Sequence, residues 1–355
     1  KNRMKRTDGT EVLLHLVDGE TTESRSPGKK RNAIDSRSID NVDVEDIREK
    51  ILIMREKGTI VYHINCKERC NIADDELVSL WRQMLVKWMF YVVDCCKLQR
   101  HAAGAAAYFL DVAILRDLCK TREEHQLAAA TALQMALKTF DTAVIQLDKL
   151  VKLGRGQFTE EDIATMEMKI ISSLNWYLHP PTMYCFLQQY EELAPSSVTD
   201  SARRVLHKVL KIISEEMTLD ERYIKFCPSI QGLAAMMVAL DFVPDEKLPK
   251  RLRRTFESRL SAMAEDEEEP KVLARVIKKI YRTLKSKNKF QTIIDATSTK
   301  TKGALMYQKV LHNAELNKKQ TEIKIQYEQH SPRDVKAKLK IKCDDEQERN
   351  MKLLS

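Results

Sequence analysis

The sequence predicts an all-α protein with two helical bundles, and two features of the chain lead to this prediction. Gly and Pro occur only 9 times each in 355 residues, too rarely for the frequent tight turns of an all-β architecture. Apolar residues recur at three- and four-residue intervals through most of residues 43–287, which is the spacing of amphipathic helices. Hydrophobic residues make up 43% of the chain, so each bundle can have a core.

The N-terminal half is expected to begin with a disordered tail over residues 1–42, because that segment is polar and lacks a sustained apolar period. A single helix, Asp43–Arg55, and a linker fill residues 43–72. Residues 73–179 are predicted to form the first bundle. Its five helices are expected at Asp74–Val92, Ala102–Leu115, Glu123–Lys138, Val144–Leu153 and Thr159–Leu174.

The helical rhythm resumes after Pro181 and predicts a second bundle over residues 180–287. Its five helices are expected at Thr182–Glu192, Ser201–Glu216, Ser229–Leu240, Pro249–Ala264 and Pro270–Lys285. The third helix of each bundle is apolar nearly all round, which indicates that the other helices surround it. Residues 288–355 carry 14 Lys and Arg against 9 Asp and Glu and are predicted to be a mostly disordered basic tail, with a transient helix near Ala304–Leu316.

The chain carries no sequence motif for catalysis. A Gly-rich phosphate loop, HExxH, GxSxG and paired Cys-x-x-Cys are all absent from the sequence. His63, Cys66 and Cys70 have helical spacing but no convincing fourth ligand, so we interpret them as ordinary residues rather than a metal site. We therefore expect no catalytic residue, metal or cofactor, and a binding module rather than an enzyme.

The composition also limits the compartment and the partners. No apolar run is long enough to span a membrane, and the eight cysteines show no secretory disulfide framework. These features favour the nucleus or the cytoplasm. The basic residues of the C-terminal tail are not interleaved with aromatic residues that could stack on bases, so no direct contact with nucleic acid is expected.

Residues 73–179 resemble the cyclin box. Trp81–Trp88 is similar to the family's Met-Arg-Ala-Ile-Leu-Val-Asp-Trp segment, Tyr108–Asp111 to its Tyr-Ile-Asp signature, and Leu174–Thr182 to its proline-containing linker. Five positions of the box carry the family's residue: Arg82, Asp111, Leu127, Lys138 and Glu167. The second bundle resembles the cyclin C-terminal fold only in its pattern of helices. The resemblance thus implies tandem five-helix cyclin folds, preceded by an N-terminal helix and flanked by disordered tails.

The resemblance implies a regulatory subunit that binds and activates a cyclin-dependent serine/threonine kinase by positioning the kinase C helix, and so controls cell-cycle progression. Lys138 and Glu167 would hydrogen-bond the kinase backbone around that helix. Leu127 completes this kinase-binding set, although its own chemistry is that of a core residue. Taken as isolated residues, Lys138 and Glu167 could equally form an internal pair or two solvated side chains. Arg82 and Asp111 are expected to form a structural ion pair between the first two helices of the box.

The family also has a groove that docks Arg-x-Leu peptides of substrates or inhibitors. Its residues here would be Met84, Leu85, Trp88 and Gln126. Trp81 replaces the usual Met, Lys87 the usual Asp, and Tyr91 stands where several cyclins carry an acidic residue that receives the peptide's arginine. The groove is therefore expected to be altered, and the alternative is that these side chains are simply core and surface of their helix.

Three rival interpretations remain open at this stage. The chain could be a cyclin-fold adapter or a transcription-related protein without kinase activation, a helical enzyme with an unrecognised site, or a helical scaffold that binds no kinase. The pair Lys138 and Glu167 distinguishes the first rival from an activator, since such relatives lack it. Ser26 and Ser331 each precede a proline and are predicted phosphorylation sites.

Overall fold

The structure is a computed structural model and describes residues 36–60, 75–140, 145–154, 156–264 and 269–297. The α-helices in these ranges are α1 (Ser36–Ile60), α2 (Glu76–Cys95), α3 (Arg100–Leu115), α4 (Arg122–Phe140), α5 (Leu147–Leu153), α6 (Glu160–Ser173), α7 (Met183–Glu192), α8 (Asp200–Leu219), α9 (Pro228–Asp241), α10 (Lys250–Ser261), α11 (Glu269–Ser286) and α12 (Lys289–Thr297). A short 3-10 helix, Glu221–Tyr223, follows α8. No strand occurs in the described ranges, and the predicted all-α class is confirmed.

Helices α4 and α9 are the central helices of their bundles. Helix α4 packs against α2, α3 and α6, while α9 packs against α7, α8, α10 and α11. Alanines with no exposed surface, including Ala128, Ala132 and Ala136 on α4, let the neighbouring helices approach closely. This is the arrangement expected for helices without a polar face.

Helix α1 is longer than predicted. It begins at Ser36 rather than at Asp43 and ends at Ile60 rather than at Arg55. The expectation of a disordered tail is therefore wrong for residues 36–42. Once a helix is nucleated, each further residue costs little to add, so a segment without its own apolar stripe can extend it. Ile47 and Ile51 of α1 are buried, and α1 packs on α7.

The C-terminal boundary also differs from the prediction. Residues 289–297, assigned to the disordered tail, form α12 and pack against α8 and α11. Phe290 and Ile293 lie one turn apart and are both buried. Two apolar positions are too few to reveal a helical period in the sequence, which is why the helix was missed. The predicted helix near Ala304–Leu316 lies outside the described residues.

The two bundles meet along a surface that we call the bundle seam, formed by Arg82, Gly104, Asp111 and Tyr184. A Cβ built on Gly104 of α3 would clash with Cδ2 of Tyr184 on α7, so only glycine allows this close approach. Arg100 adds an ion-pair link across the bundles, with its Nη2 2.7 Å from Asp94 and 2.9 Å from Glu215 of α8. In the described residues, no helix is long and apolar enough to cross a membrane.

Candidate protein-binding site

Lys138 and Glu167 meet at the surface of the first bundle. Lys138 lies in the last turn of α4 and Glu167 lies in the middle of α6. The Nζ atom of Lys138 is 3.0 Å from each carboxylate oxygen of Glu167. The side chains are 41% and 20% exposed, so the Lys138 ammonium lies at the surface and the Glu167 carboxylate remains partly accessible. The cation also sits at the negative end of the α4 dipole, which stabilises it there.

This pair keeps hydrogen-bonding capacity for a partner. A lysine ammonium has three N–H donors and a carboxylate has about four acceptor positions, so the contact between them uses only part of each group. An incoming backbone could accept a hydrogen bond from Lys138 and donate one to Glu167. The structure thus brings together two of the predicted kinase-binding residues in an exposed position; their role remains a prediction.

Leu127 lies elsewhere. It is only partly exposed, packs against the core of the first bundle, and precedes Lys138 by about three turns of α4. Its position agrees with the core role that its own chemistry indicates, and it does not lie beside the Lys138–Glu167 pair.

Exposed apolar side chains follow Glu167, and sequence reasoning missed them. Met168 is 51% exposed, Trp176 is 67% exposed and Tyr177 is 50% exposed. Asn175 and Trp176 have φ of 49° and 67°, in the left-handed region that an aromatic residue seldom adopts. The backbone N–H of Trp176 donates to the Ile171 carbonyl at 3.2 Å, which ends α6 and turns the indole outward. We call Lys138, Glu167, Met168 and Trp176 the outer face.

An aromatic cluster holds the end of α4 beside this outer face. Phe140 lies between His101 and His179, with ring centroids 4.7 Å and 5.4 Å away. His101 Nε2 is 3.1 Å from the Sγ atom of Cys185. Burial lowers the pKa of His101 and raises the pKa of the Cys185 thiol, so both groups are favoured in their neutral forms. A neutral, buried thiol is a poor nucleophile, and the cluster therefore acts as packing.

Arg82 and Asp111 form an ion pair inside the molecule. Nε and Nη2 of Arg82 donate to the two carboxylate oxygens of Asp111 at 2.6 and 3.0 Å, and both residues are buried. Arg82 also donates from Nη1 to the Thr218 carbonyl at 3.0 Å, near the end of α8. The pair therefore joins α2 and α3, as expected, and in addition ties the first bundle to the second. The link to Thr218 carries no sequence signal, because it depends on how the bundles pack.

The four predicted groove residues line one cavity of 390 Å³ between α2, α4 and α5. Met84 is 48% exposed, whereas Leu85, Trp88 and Gln126 are partly buried.

Helix α2 has two sets of apolar residues, one buried and one exposed. Its core face is Val86, Met89, Phe90, Val92 and Val93. A second set of apolar residues, Leu77, Leu80, Met84 and Tyr91, is exposed.

The predicted phosphorylation sites Ser26 and Ser331 lie outside the described residues. So do His63, Cys66 and Cys70, which we interpreted as ordinary residues rather than as metal ligands. Across the ranges that are described, no group of three or more His, Cys, Asp or Glu side chains could hold a metal ion.

Comparisons with known proteins point to one family. Residues 58–179 match the family model "Cyclin, N-terminal domain". The chain is 25% identical over 270 residues to the G2/mitotic-specific cyclin-B of Hydra vulgaris, covering 74% of this chain and 70% of that protein. It is 24% identical over 171 residues to the G2/mitotic-specific cyclin-A of Drosophila melanogaster, covering 48% of this chain and 34% of that protein.

Further matches cover less of the chain or agree less closely. The G2/mitotic-specific cyclin-B3 of Mus musculus is 26% identical over 166 residues, which is 46% of this chain and 11% of the mouse protein. Among solved structures, a viral cyclin from herpesvirus saimiri is similar with a TM-score of 0.43 and 13% identity, covering 62% of this chain and 97% of that one.

Proposed function

We propose that the chain is a cyclin, a regulatory subunit that binds and activates a cyclin-dependent serine/threonine kinase and so controls cell-cycle progression. The match of residues 58–179 to the cyclin N-terminal domain and the similarity to G2/mitotic-specific cyclins support this proposal. Its own role in this proposal is binding, not chemistry. The cyclin relatives carry the names of G2/mitotic proteins, which supports a role in cell division. We place this role in the nucleus or the cytoplasm.

The exposed Lys138–Glu167 pair is the observation that carries the proposal. The two side chains come from different helices and meet with both carboxylate oxygens 3.0 Å from the ammonium group. A cation and an anion with unused donors and acceptors suit a backbone partner, which offers both a carbonyl and an N–H. Met168 and Trp176 would add apolar contact and exclude water, which strengthens such hydrogen bonds.

Activation would follow from binding one kinase conformation better than another. A protein kinase needs the glutamate of its C helix paired with a strand lysine before it can transfer phosphate. A subunit that binds only the inward position of that helix shifts the population toward the active state. The outer face would contact the C helix.

A kinase assay with purified components tests the proposal. The chain is added to a panel of purified cyclin-dependent kinases, and phosphorylation of a peptide substrate is measured. We expect strong stimulation of at least one kinase, reduced at least tenfold by Lys138→Ala with Glu167→Ala. A matched control is Asp148→Ala with Lys152→Ala, which removes another exposed pair, 3.0 Å apart, on α5. Equal loss in both double variants, or no stimulation, would reject the proposed interface.

The same assay addresses the second candidate, a cyclin-fold adapter or transcription-related protein without kinase activation. Such a protein would bind a partner without raising kinase activity. The exposed pair favours the activator, because it presents both signs of charge at one position. Substrate or inhibitor peptides are further proposed partners, and the groove beside α2 is their proposed site.

A further inference from the structure

We infer that the groove beside α2 binds an apolar peptide segment that carries an acidic side chain, rather than one that carries an arginine. The groove is the 390 Å³ cavity described above, and its apolar walls include Trp81, Met84, Leu85, Trp88, Leu150 and Phe158. This inference deepens the proposed function, since it names the chemistry of the docking partner. Peptide binding is measured without a kinase, so each proposal can fail separately.

The charge of the groove carries the inference. Within the part of the chain that the structure describes, Arg122 is the only lining residue with a formal charge. It is exposed at the start of α4. No carboxylate lines the cavity, and the remaining polar lining groups are His125, Gln126 and Gln157. A peptide arginine would therefore meet a cation, whereas a peptide carboxylate would meet a partner of opposite sign.

Two carboxylates near the groove, those of Glu124 and Asp148, make contacts within the chain. Glu124 accepts hydrogen bonds from the backbone N–H groups of Lys120 and Thr121 at 2.7 and 3.0 Å, which fixes it at the start of α4. Those two hydrogen bonds lower the pKa of Glu124, which keeps it ionised and held there. Asp148 pairs with Lys152 at 3.0 Å. Neither carboxylate lines the cavity.

A second cation, Lys87, lies on α2 near Met84, one of the residues that line the groove. Lys87 is exposed and follows Met84 by about one turn, on the same side of the helix as Tyr91. Asp94, near the end of α2, is held 2.7 Å from Arg100 and 3.3 Å from Lys211. The exposed charge beside the groove on α2 is therefore positive.

His125 also lines the groove, but its ring offers no accessible hydrogen-bond acceptor to a peptide arginine. Its Nδ1 atom is 2.8 Å from the Thr121 carbonyl oxygen, so Nδ1 carries the proton and donates. Its Nε2 atom is fully covered, and the ring lies against Trp81 with centroids 5.1 Å apart. Burying an arginine in this groove would leave its charge without a counter-ion, which is costly.

A peptide-binding measurement tests this inference. Three fluorescent decapeptides share an apolar core of Leu and Phe and differ in a single residue, Glu, Gln or Arg, on the N-terminal side of that core. A second set of three carries the same variable residue on the C-terminal side. Fluorescence anisotropy measures the affinity of each peptide for the full chain. In at least one set we expect the Glu peptide to bind most tightly, the Gln peptide less tightly and the Arg peptide most weakly. We expect the Glu peptide to bind about fivefold to tenfold more tightly than the Arg peptide, and 0.5 M salt to reduce this ratio.

Two variants separate charge recognition from apolar binding. Arg122→Glu should reverse the order of the peptides, and Trp88→Ala should weaken all of them. Lys278→Glu makes the same change in net charge on an exposed residue of α11 and should leave the order unchanged. Preference for the Arg peptide, an order that Arg122→Glu does not alter, or no binding of any peptide would overturn the inference.

Discussion

The bundle seam and the outer face each contain an ion pair of similar length, yet the two pairs have different surroundings. Arg82 and Asp111 are 2% and 5% exposed, and Arg82 has further protein acceptors. Lys138 and Glu167 have side chains that are 41% and 20% exposed, and the ammonium lies 3.0 Å from both carboxylate oxygens. A buried ion pair is destabilising to break, whereas an exposed pair contributes little to folding. The comparison indicates that the first pair maintains the fold and that the second is available to a partner.

We expect the largest loss of folding stability from a substitution at the bundle seam. Arg82→Ala leaves the buried Asp111 carboxylate without its partner and the Thr218 carbonyl without a donor. We expect the free energy of unfolding to fall by about 3–5 kcal/mol, measured by urea denaturation. Arg82→Lys should recover only part of this loss, because an ammonium group cannot reproduce the two-pronged contact. A loss below about 1 kcal/mol for Arg82→Ala would contradict a structural role.

The next effect concerns the close approach of the bundles. Gly104→Ala places a methyl group on α3 in a clash with the ring of Tyr184, a residue of α7. We expect a loss of about 1–3 kcal/mol in unfolding free energy, even though alanine favours the helix more than glycine. Gly58→Ala is the control, since its Cβ would meet only Pro181 Cγ at 3.2 Å. Equal stabilities of the two variants would mean that the seam is loosely packed.

A smaller effect should depend on pH. Burial raises the pKa of Glu216, but its contacts with Lys289 and Lys287, at 2.8 and 2.9 Å, outweigh this and hold the pKa below its ordinary value of 4.5. Because the folded pKa is lowered, the stabilisation is complete above pH 4.5 and is lost as the pH falls through the folded value.

Glu216→Gln should therefore lower the unfolding free energy by about 1–2 kcal/mol at pH 7, and the difference from the wild type should shrink below pH 4.5. Denaturation curves at several pH values measure this. A difference that grows on acidification would show that Glu216 is not stabilised as an anion.

The smallest effect on folding should be at the outer face. Lys138→Ala with Glu167→Ala removes an exposed pair, so we expect thermal denaturation to show less than about 1 kcal/mol of change. A loss comparable to that of Arg82→Ala would mean that this pair serves the fold rather than a partner.

Local sequence patterns predicted most of the helices. The period of apolar residues located α2 to α11, and the two helices without a polar face were correctly predicted to be central. Helix α12 was missed because its burial rests on Phe290 and Ile293 alone. The start of α1 was missed because residues 36–42 extend a helix nucleated further along the chain.

The candidate sites were less predictable. Sequence resemblance supplied Lys138 and Glu167, but their 3.0 Å contact depends on how α4 packs against α6. The exposed Trp176 and the contact between Gly104 and Tyr184 depend on backbone geometry and on packing between bundles, neither of which leaves a periodic signal. The charge of the groove became evident only when Arg122 was placed at its rim.

The affinity of the folded chain for its kinase tests the central claim most directly. Isothermal titration calorimetry compares the wild type, Lys138→Ala with Glu167→Ala, and the exposed control Asp148→Ala with Lys152→Ala. We predict that the outer-face variant loses at least tenfold in affinity while keeping wild-type stability, and that the control binds normally. An outer-face variant that binds the kinase as tightly as the wild type would contradict the claim that this pair is the contact with the kinase.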